Sequence, residues 1–551
     1  MIQRLALLLS LALILSIQLQ AQPTPLDTRI QISKFTEVEG RVVRLLHDSV
    51  GQRLIYARVN GDIYQVDSSS GALKDSLLYT SADHGITYLQ GMDIRDSLWV
   101  ICGNINAFKE WTTGRVSKAK LQSNGSRTWA VLAETEPYES ADYFDHLFSG
   151  LIITPTDSII WCSGARGDHG EIQDYYGKHP GIRNVPLTSV LLCASTHDTN
   201  KLLKNDSLWL IQNQVIYARG TRNFFDFDYD QYGHLYALEN SGDRDDPDEM
   251  NRVVRGAHYG FPWNMGGNLT PQQFLPFDPT QDKLIHPNCW AMSQGFFHAD
   301  STYPPPPPGV TFKEAVRNFG PDADYYRDPI TGGVKQASQT GDYITTFSAH
   351  RSPLGLVFSR GRIEGVHFSD KGFLLSWTPG GDSTGTLAQG GVGTFVDESE
   401  DLLMISPRSG SFDEIESRRV IRGLNRPIDM TIVNGELYIV EYADSASPIY
   451  RVTFQDTGSQ VIDTTVSVQL SSEDFFIRSF PNPARDHLII TGSGMQEPIE
   501  IEFVNLQGDQ VKREVLDEFP TELDISDLSP GFYVLGIHYG ERKFLEKLMV
   551  R

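Results

Sequence analysis

One histidine stands where a general base could act. His146 follows Asp145 and directly precedes an aliphatic segment, residues 147–153, that is typical of a strand. A neutral imidazole can accept a proton from a hydroxyl group, and a neighbouring carboxylate can orient it. Such a pair can equally form a hydrogen bond that only supports the fold. Both interpretations therefore stay open at this point.

Two later segments could bind an anion and a cation. Arg222 and Asn223 precede two phenylalanines, and a guanidinium group can pair with a planar anion or cap a buried carbonyl. Five carboxylates follow within seven positions and offer the hard oxygen ligands that suit Ca²⁺. Their spacing is not that of an EF-hand loop, so a solvated acidic loop is the alternative. The five are Asp243, Asp245, Asp246, Asp248 and Glu249.

A recurring hairpin indicates how these residues are held. A turn residue followed by an aliphatic and then an aromatic or second aliphatic residue returns at irregular intervals, each time in a short alternating segment typical of a half-buried strand. Recurrence of one hairpin over some 400 residues favours the blades of a β-propeller, with another array of β-sandwiches as the alternative. The copies begin at Asn60, Asp96, Asp157, Asp206, Gly233 and Asn434.

Composition and charge limit the function classes. The 551 residues carry a formal net charge of −23, which repels phosphate backbones and argues against nucleic-acid binding. Residues 1–21 have a basic start, a short apolar core and a small residue before the expected cut, as in an export signal. No later stretch has the apolar length of a membrane-spanning helix. Four cysteines without C-x-x-C spacing argue against zinc and leave open disulfides or buried thiols.

The domain organisation predicted is all-β, a six-bladed β-propeller followed by a small C-terminal β-sandwich. A Ser/Thr-rich stretch separates the two, and short alternating strands with turn signals follow it. Five consecutive prolines from Pro304 to Pro308 open a polar surface excursion between blades. The predicted divisions are a signal peptide at 1–21, the propeller at 22–455, a linker at 456–474 and the sandwich at 475–551.

Taken in order, five motifs resemble the soluble glucose/sorbosone dehydrogenase family, six-bladed propellers that use pyrroloquinoline quinone (PQQ). The chain reads DHLFSGLIITP, GTRN, ENSGD, DEMN and HYGFP. The resemblance covers roughly residues 35–455 and implies a PQQ- and calcium-dependent oxidation of a sugar at C1. In this family calcium polarises the quinone, and the protein positions and deprotonates the substrate.

The resemblance also implies a role for each matching residue. His146 would take the hydroxyl proton as hydride leaves for the quinone, with Asp145 orienting it or balancing its charge. Arg222 and Asn223 would contact cofactor and substrate oxygen. The turn at Asn240 and Ser241 would supply carbonyl ligands of the catalytic calcium. Glu249 and Tyr259 keep the spacing of a second, structural calcium loop.

Three positions depart from the family pattern. Ser241-Gly242 replaces the family's Gly-Pro, and Gly164-Ala165-Arg166 stands where a Gly-Asp closes the histidine strand, with Gly167-Asp168 reachable only by a two-residue insertion. Trp377 lies near the place of an expected cofactor-binding lysine. Loss of that cation matters in an acidic protein that must bind an anionic cofactor.

Two hypotheses compete with the dehydrogenase. One is a non-catalytic propeller that binds carbohydrate or another surface, and the other is a calcium-dependent hydrolase or lactonase. The fold does not decide among the three, because propellers host all of these functions.

The C-terminal segment resembles the sorting domain of type IX secretion cargo. Its pieces follow that family's order: a PNP turn at 481–483, an N-x-x-G hairpin at 505–508, the DISDL segment at 524–528, GFY at 531–533 and a basic end. The resemblance implies recognition by secretion machinery and passage through the periplasm. The expected location is outside the cell or on its surface.

Overall fold

The computed structural model describes two compact units, which are treated separately here. The predicted signal peptide and linker lie outside the described residues. The described residues are 22–67, 74–123, 125–363, 365, 367–387, 392–408, 410–455, 476–480, 484, 486–493, 498–505, 509–517, 521–539 and 542–550.

Strands dominate the first unit and form six blade sheets and two further two-stranded sheets. Two strands precede the first sheet, β1 (Thr24–Pro25) and β2 (Ile30–Glu39). Blade 1 contains β3 (Val42–Asp48), β4 (Arg53–Arg58), β5 (Ile63–Asp67) and β6 (Lys74–Tyr79). Blade 2 contains β7 (Tyr88–Arg95), β8 (Leu98–Ile105), β9 (Trp111–Leu121) and β10 (Arg127–Thr135), and β11 (Tyr138–Glu139) pairs with β9. Blade 3 contains β12 (Phe148–Ile153), β13 (Ser158–Ser163), β14 (Val190–Ser195) and β16 (Ile216–Arg219), while β15 (Lys201–Leu203) pairs with β10.

The remaining blades follow in chain order. Blade 4 contains β17 (Phe224–Tyr229), β18 (Leu235–Glu239) and β19 (Glu249–Arg252). An excursion then carries β20 (Asn264–Met265), β21 (Asn268–Leu269), β22 (Arg317–Pro321), β23 (Tyr325–Arg327) and β24 (Val334–Gln336). Blade 5 contains β25 (Pro353–Phe358), β26 (Gly372–Ser376), β27 (Leu402–Pro407) and β28 (Glu414–Arg422), with β1 and β22 on its outer strand. Blade 6 contains β29 (Pro427–Val433), β30 (Glu436–Glu441), β31 (Ala446–Phe454) and β2.

The six sheets close into a ring, which confirms the six-bladed β-propeller. The first strands of the blades, β3, β7, β12, β17, β25 and β29, each pack against the next, and β29 packs against β3. The N-terminal β2 completes blade 6 by pairing with β31. Every residue of β12 and β25 is buried, because each inner strand has neighbours on both faces.

Five of the six predicted hairpins form turns between strands, and the sixth is wrong. Asp206 and Ser207 begin a short helix, α2 (Ser207–Gln212), rather than a strand. The Asp206 side chain accepts the backbone N–H of Trp209 at 2.8 Å and so caps the first turn. The other short helices are α1 (Ser81–His84), α3 (Trp290–Ser293) and α4 (Ala337–Thr340), and Pro271–Gln273 forms a 3₁₀ turn.

One arginine spans the central channel. The Arg44 guanidinium donates to the carbonyl oxygens of Gln90 and Phe225, in blades 2 and 4, and lies 3.6 Å from Asp226 and 4.0 Å from Asp429. Burial raises the pKa of Asp429 to about 6, although the Arg44 charge opposes that shift. Arg44 therefore connects its own blade 1 with blades 2, 4 and 6 and partly neutralises two buried carboxylates.

The second unit is a β-sandwich. One sheet contains β32 (Phe476–Phe480), β33 (His487–Ser493) and β36 (Thr521–Asp524). The other contains β34 (Ile499–Asn505), β35 (Gln510–Leu516), β37 (Gly531–Tyr539) and β38 (Arg542–Val550). Alternate residues of both sheets, including Leu488, Phe503 and Leu535, share one buried core.

All four cysteines, Cys102, Cys162, Cys193 and Cys289, are buried free thiols. Burial raises the pKa of the Cys162 and Cys289 thiols to about 12, so the reactive thiolate is scarce at neutral pH. We expect no thiol to react with Ellman's reagent within minutes in the native protein and four to react in guanidinium chloride. A reductant should leave the melting temperature unchanged; a fall would reveal a disulfide.

Candidate functional site

The residues that precede the six inner strands gather at one mouth of the channel. Each blade runs antiparallel from its inner to its outer strand, so the chain enters every inner strand from the same end of the ring. His146 lies two residues before β12, and Arg222 lies two residues before β17. Blades 3 and 4 are neighbours, and this topology brings the two side chains together.

The peptide of Ala165 joins these two residues. The Ala165 carbonyl lies 2.9 Å from Nδ1 of His146, and its N–H donates to the carbonyl of Arg222 at 2.7 Å. Gly164 permits this approach, because a Cβ there would lie 2.3 Å from Cβ of His146. The segment that departs from the family pattern therefore bridges the two positions.

The electrostatics keep His146 neutral. Burial and the Arg222 charge lower the pKa of His146 to about 3. The neutral ring donates its Nδ1 proton to the Ala165 carbonyl, which leaves the lone pair on Nε2. Nε2 is therefore unprotonated at neutral pH and can act as a proton acceptor, although the lowered pKa makes it a weak base.

Asp145 does not contact this imidazole. Its Oδ2 accepts the backbone N–H of Ala141 at 3.0 Å, and its Oδ1 has no hydrogen-bond partner among the residues that the structure describes. Burial raises the pKa of Asp145 to about 6. The orienting role expected for Asp145 is filled in the structure by the Ala165 carbonyl.

Arg222 is buried and bonded inside the protein. Its side chain donates to the carbonyl of Asp168 at 2.9 Å, to Oδ1 of Asp168 at 3.2 Å and to the carbonyl of Asn240 at 3.2 Å. Only 4% of the residue is exposed. Nδ2 of Asn223 donates to Oδ1 of Asn240 at 3.3 Å, while Oδ1 of Asn223 has no hydrogen-bond partner in the described part of the chain.

Asp168 links Arg222 to a second histidine. Its Oδ2 lies 3.0 Å from Nδ1 of His169, whose ring stacks on Phe297 at 4.2 Å. Burial alone would raise the pKa of Asp168, but the His169 hydrogen bond and the Arg222 charge hold it below its usual value. In the structure the Asp168 carboxylate therefore lies between Arg222 and His169.

The residues expected to bind the two calcium ions form hydrogen bonds within the protein. Asn240 accepts from Arg222 and Asn223. The backbone N–H and hydroxyl of Ser241 both donate to Asp248, at 2.6 and 2.8 Å. The Tyr259 hydroxyl donates to the Arg252 carbonyl at 3.0 Å and accepts from the N–H of Val254 at 2.8 Å.

Glu249 belongs to a buried carboxylate pair. Nδ2 of Asn251 donates to Glu239 at 3.2 Å and to Glu249 at 2.8 Å, and the N–H of Gly266 donates to Glu249 at 2.7 Å. Burial raises the pKa of Glu249 to about 7, and burial with the Glu249 charge raises that of Glu239 well above its usual value. In the described part of the chain, no three His, Cys, Asp or Glu side chains are grouped to hold a metal ion.

Replacing Glu249 with glutamine tests this pair. The folded-state pKa of Glu249 lies above its unfolded value, so its contribution to stability is complete below about pH 4.5 and is lost as pH rises through about 7. We expect the free energy of unfolding of the wild type to fall between pH 5 and 8 by on the order of 2 kcal/mol. The fall should be smaller in the variant. Urea titrations at several pH values measure the free energy of unfolding of Glu249→Gln and of the exposed control Glu314→Gln. If the free energy of unfolding fell equally with pH in both variants, the assignment of the fall to Glu249 would be wrong.

Two arginines that sequence analysis missed lie at the same mouth. Arg41 and Arg426 immediately precede β3 and β29. The Arg426 guanidinium lies 5.9 Å from the ring centre of Trp377 and 5.7 Å from that of Tyr442, and Nε of Arg41 donates to the Tyr442 hydroxyl at 3.3 Å. Among the described residues, neither arginine forms an ion pair. The feature that the two arginines share in the sequence is a position just before the inner strand of a blade.

The residues at this mouth fit PQQ but do not fit calcium. Two guanidinium groups beside Trp377 and Tyr442 suit a planar polycarboxylate such as PQQ. Calcium at Asn240 and Ser241 does not fit, because the Arg222 guanidinium already occupies the Asn240 carbonyl and would repel a divalent cation there.

Fold and site together define a six-bladed β-propeller with a neutral histidine beside a buried arginine at one mouth. Residues 478–551 match the family model described as the secretion system C-terminal sorting domain. This match points to secretion or the cell surface. No curated protein matches the chain. None of the helices in the described ranges combines the length and apolar character that a membrane span needs.

Several solved structures are similar to the chain. The soluble aldose sugar dehydrogenase of Escherichia coli, in its apo form, is 11% identical, with 77% of this chain and 100% of that chain covered and a TM-score of 0.47. The PQQ domain of pyranose dehydrogenase from Coprinopsis cinerea, in its holo form, is 9% identical, with 78% and 97% covered and a TM-score of 0.47. The PQQ-bound aldose sugar dehydrogenase of Streptomyces coelicolor is 12% identical, with 78% and 100% covered and a TM-score of 0.40. These likenesses are remote and carry no argument about the chemistry of this chain.

Proposed function

We propose that the chain is a secreted sugar dehydrogenase that oxidises the C1 hydroxyl of an aldose with PQQ as electron acceptor. The observation that carries the proposal is the neutral His146, held through Nδ1 by the Ala165 carbonyl beside Arg222. An unprotonated imidazole can take a hydroxyl proton without assistance from a metal, and its lowered pKa makes it a weaker base than a free histidine.

Each residue at this mouth has a separate role in the proposed reaction. Nε2 of His146 accepts the C1 hydroxyl proton, and the Ala165 carbonyl fixes the ring while that proton moves. Arg222 keeps the ring unprotonated between turnovers, and Asp168 holds Arg222 in place. Arg41 and Arg426 would hold the carboxylates of PQQ. Bound PQQ would accept the hydride that leaves C1, and the sugar would leave as a lactone.

The second candidate is a non-catalytic propeller that binds carbohydrate. The hydrogen bonds of Arg222 favour this candidate. Its guanidinium donates to Asp168 and Asn240 and is almost fully buried. An arginine so engaged has little capacity left for a substrate oxygen or a cofactor carboxylate.

Cofactor reconstitution separates the two candidates. The full chain is titrated with PQQ, with and without added Ca²⁺, and followed by the absorbance of bound quinone and by dye reduction with a panel of aldoses. The dehydrogenase predicts stoichiometric binding that Arg426→Ala weakens and Arg451→Ala, a surface control, leaves unchanged. No spectral change at micromolar PQQ would overturn the dehydrogenase and leave the binding protein.

A further inference from the structure

An aromatic surface lies beside His146 and has no part in the chemistry described so far. It consists of the rings of Tyr143, Phe144, Tyr176, Trp290 and Phe296, here named the aromatic platform. The ring centres of Tyr143 and Trp290 lie 4.5 Å apart, those of Phe144 and Trp290 5.1 Å apart, and those of Tyr143 and Tyr176 6.3 Å apart. Tyr176 is 70% exposed and Trp290 41% exposed.

The backbone presents these rings at an energetic cost. Phe144, Tyr175 and Tyr176 have φ angles of 56°, 49° and 56°, in the left-handed region that bulky side chains rarely adopt. Such conformations persist where the surrounding structure enforces them, and they concentrate at ligand-binding sites. Exposing large rings also forfeits burial that a purely structural role would gain.

The aromatic platform is continuous with the proposed catalytic site. Tyr143 lies three residues before His146 in one loop. Phe296 of the aromatic platform adjoins Phe297, which stacks on His169, and His169 bonds the Asp168 that holds Arg222. The backbone N–H of Ala291, in the helix of Trp290, donates to Asp243 at 2.7 Å, and this anchors the other side of the aromatic platform to the same cluster.

We infer that the aromatic platform binds a neutral saccharide chain and that the substrate is the reducing end of an oligosaccharide. That the bound saccharide is also a substrate rests on the proposed function. The C–H face of a pyranose ring is apolar and packs on the face of an aromatic ring, and several adjoining rings suit several sugar units. Tyr143 and Tyr176 also carry phenol groups that can form hydrogen bonds with sugar hydroxyls. Asp142 and Asp174 beside them disfavour an anionic glycan.

Binding is measured on the full chain without PQQ, by tryptophan fluorescence and calorimetry, with cellopentaose, maltopentaose and glucose as probes. We expect at least one pentasaccharide to bind at least tenfold more tightly than glucose. Trp290→Ala and Tyr176→Ala should each weaken that binding by roughly two- to tenfold. Phe274→Ala, which removes an aromatic side chain that is 56% exposed outside the aromatic platform, is the matched control.

The outcomes separate this inference from the proposed function. Trp290-dependent pentasaccharide binding without any PQQ binding supports the platform and overturns the oxidation. Dye reduction with glucose and pentasaccharides at equal KM, unaffected by Trp290→Ala, overturns the platform and supports the oxidation. Pentasaccharide binding no tighter than glucose binding, or equally weakened by Phe274→Ala, also overturns it.

Discussion

Replacing His146 with asparagine should lower the rate of dye reduction by the PQQ-loaded protein about 10²–10⁴-fold, the usual contribution of a general base. Asparagine is the informative substitution because its side-chain amide can donate to the Ala165 carbonyl as Nδ1 does, while it offers no basic nitrogen in place of Nε2. The measurement is kcat under saturating aldose.

The pH profile of the same reaction gives an independent readout. With a pKa of about 3, His146 stays neutral from pH 5 to 8, so we expect no fall in kcat from its protonation in that range. PQQ affinity and the melting temperature should change little in His146→Asn. A variant that turns over at the full rate would remove His146 from the mechanism.

Replacing Arg44 with methionine should lower the free energy of unfolding by about 3–5 kcal/mol, the usual cost of breaking a buried ion pair by removing one partner. Methionine retains apolar volume but leaves the carbonyls of Gln90 and Phe225 without their donor and Asp226 and Asp429 without a counter-charge. Guanidinium chloride titration of the propeller transition measures the change.

The pH dependence identifies the cause of that loss. Asp429 has a folded-state pKa of about 6, above its unfolded value, so its favourable contribution is complete below about pH 3.8 and is lost as pH rises through about 6. Removing Arg44 raises this pKa further, so the variant should lose more stability at pH 8 than at pH 5. Arg451→Met, which breaks an exposed ion pair with Glu436, should cost less than about 1 kcal/mol at either pH. An equally small loss in Arg44→Met would contradict the role of the channel arginine.

Sequence reasoning reached the fold because propeller blades repeat a local signal. A turn followed by an aliphatic and an aromatic residue marks a hairpin wherever a strand has one face in a sheet-on-sheet core. Asp206 carried the same signal and begins a helix, because an aspartate that can start a turn can also cap a helix. Local pattern alone does not distinguish the two.

The site was only partly accessible to the same reasoning. His146 and Arg222 stand in motifs, so their positions could be predicted, and the packing of β12 against β17 in neighbouring blades explains why two residues 76 positions apart in the chain lie close in space. Arg41 and Arg426 carry no motif and gain significance only once the inner strands are known. The engagement of Asn240 by Arg222 was inaccessible as well, because it depends on the direction of a side chain.

The pairing of β2 with β31 joins residues separated by about four hundred positions. A propeller that is still being synthesised therefore cannot complete blade 6 until nearly the whole chain of the ring has been made. The loop-closure entropy of joining β2 to β31 must be overcome in that late step. Until then β2 has no partner strand and offers a free strand edge to other chains, which makes the growing protein prone to aggregation. Deleting β2 would leave the edge of β31 permanently unpaired, however intact the distant mouth residues remained.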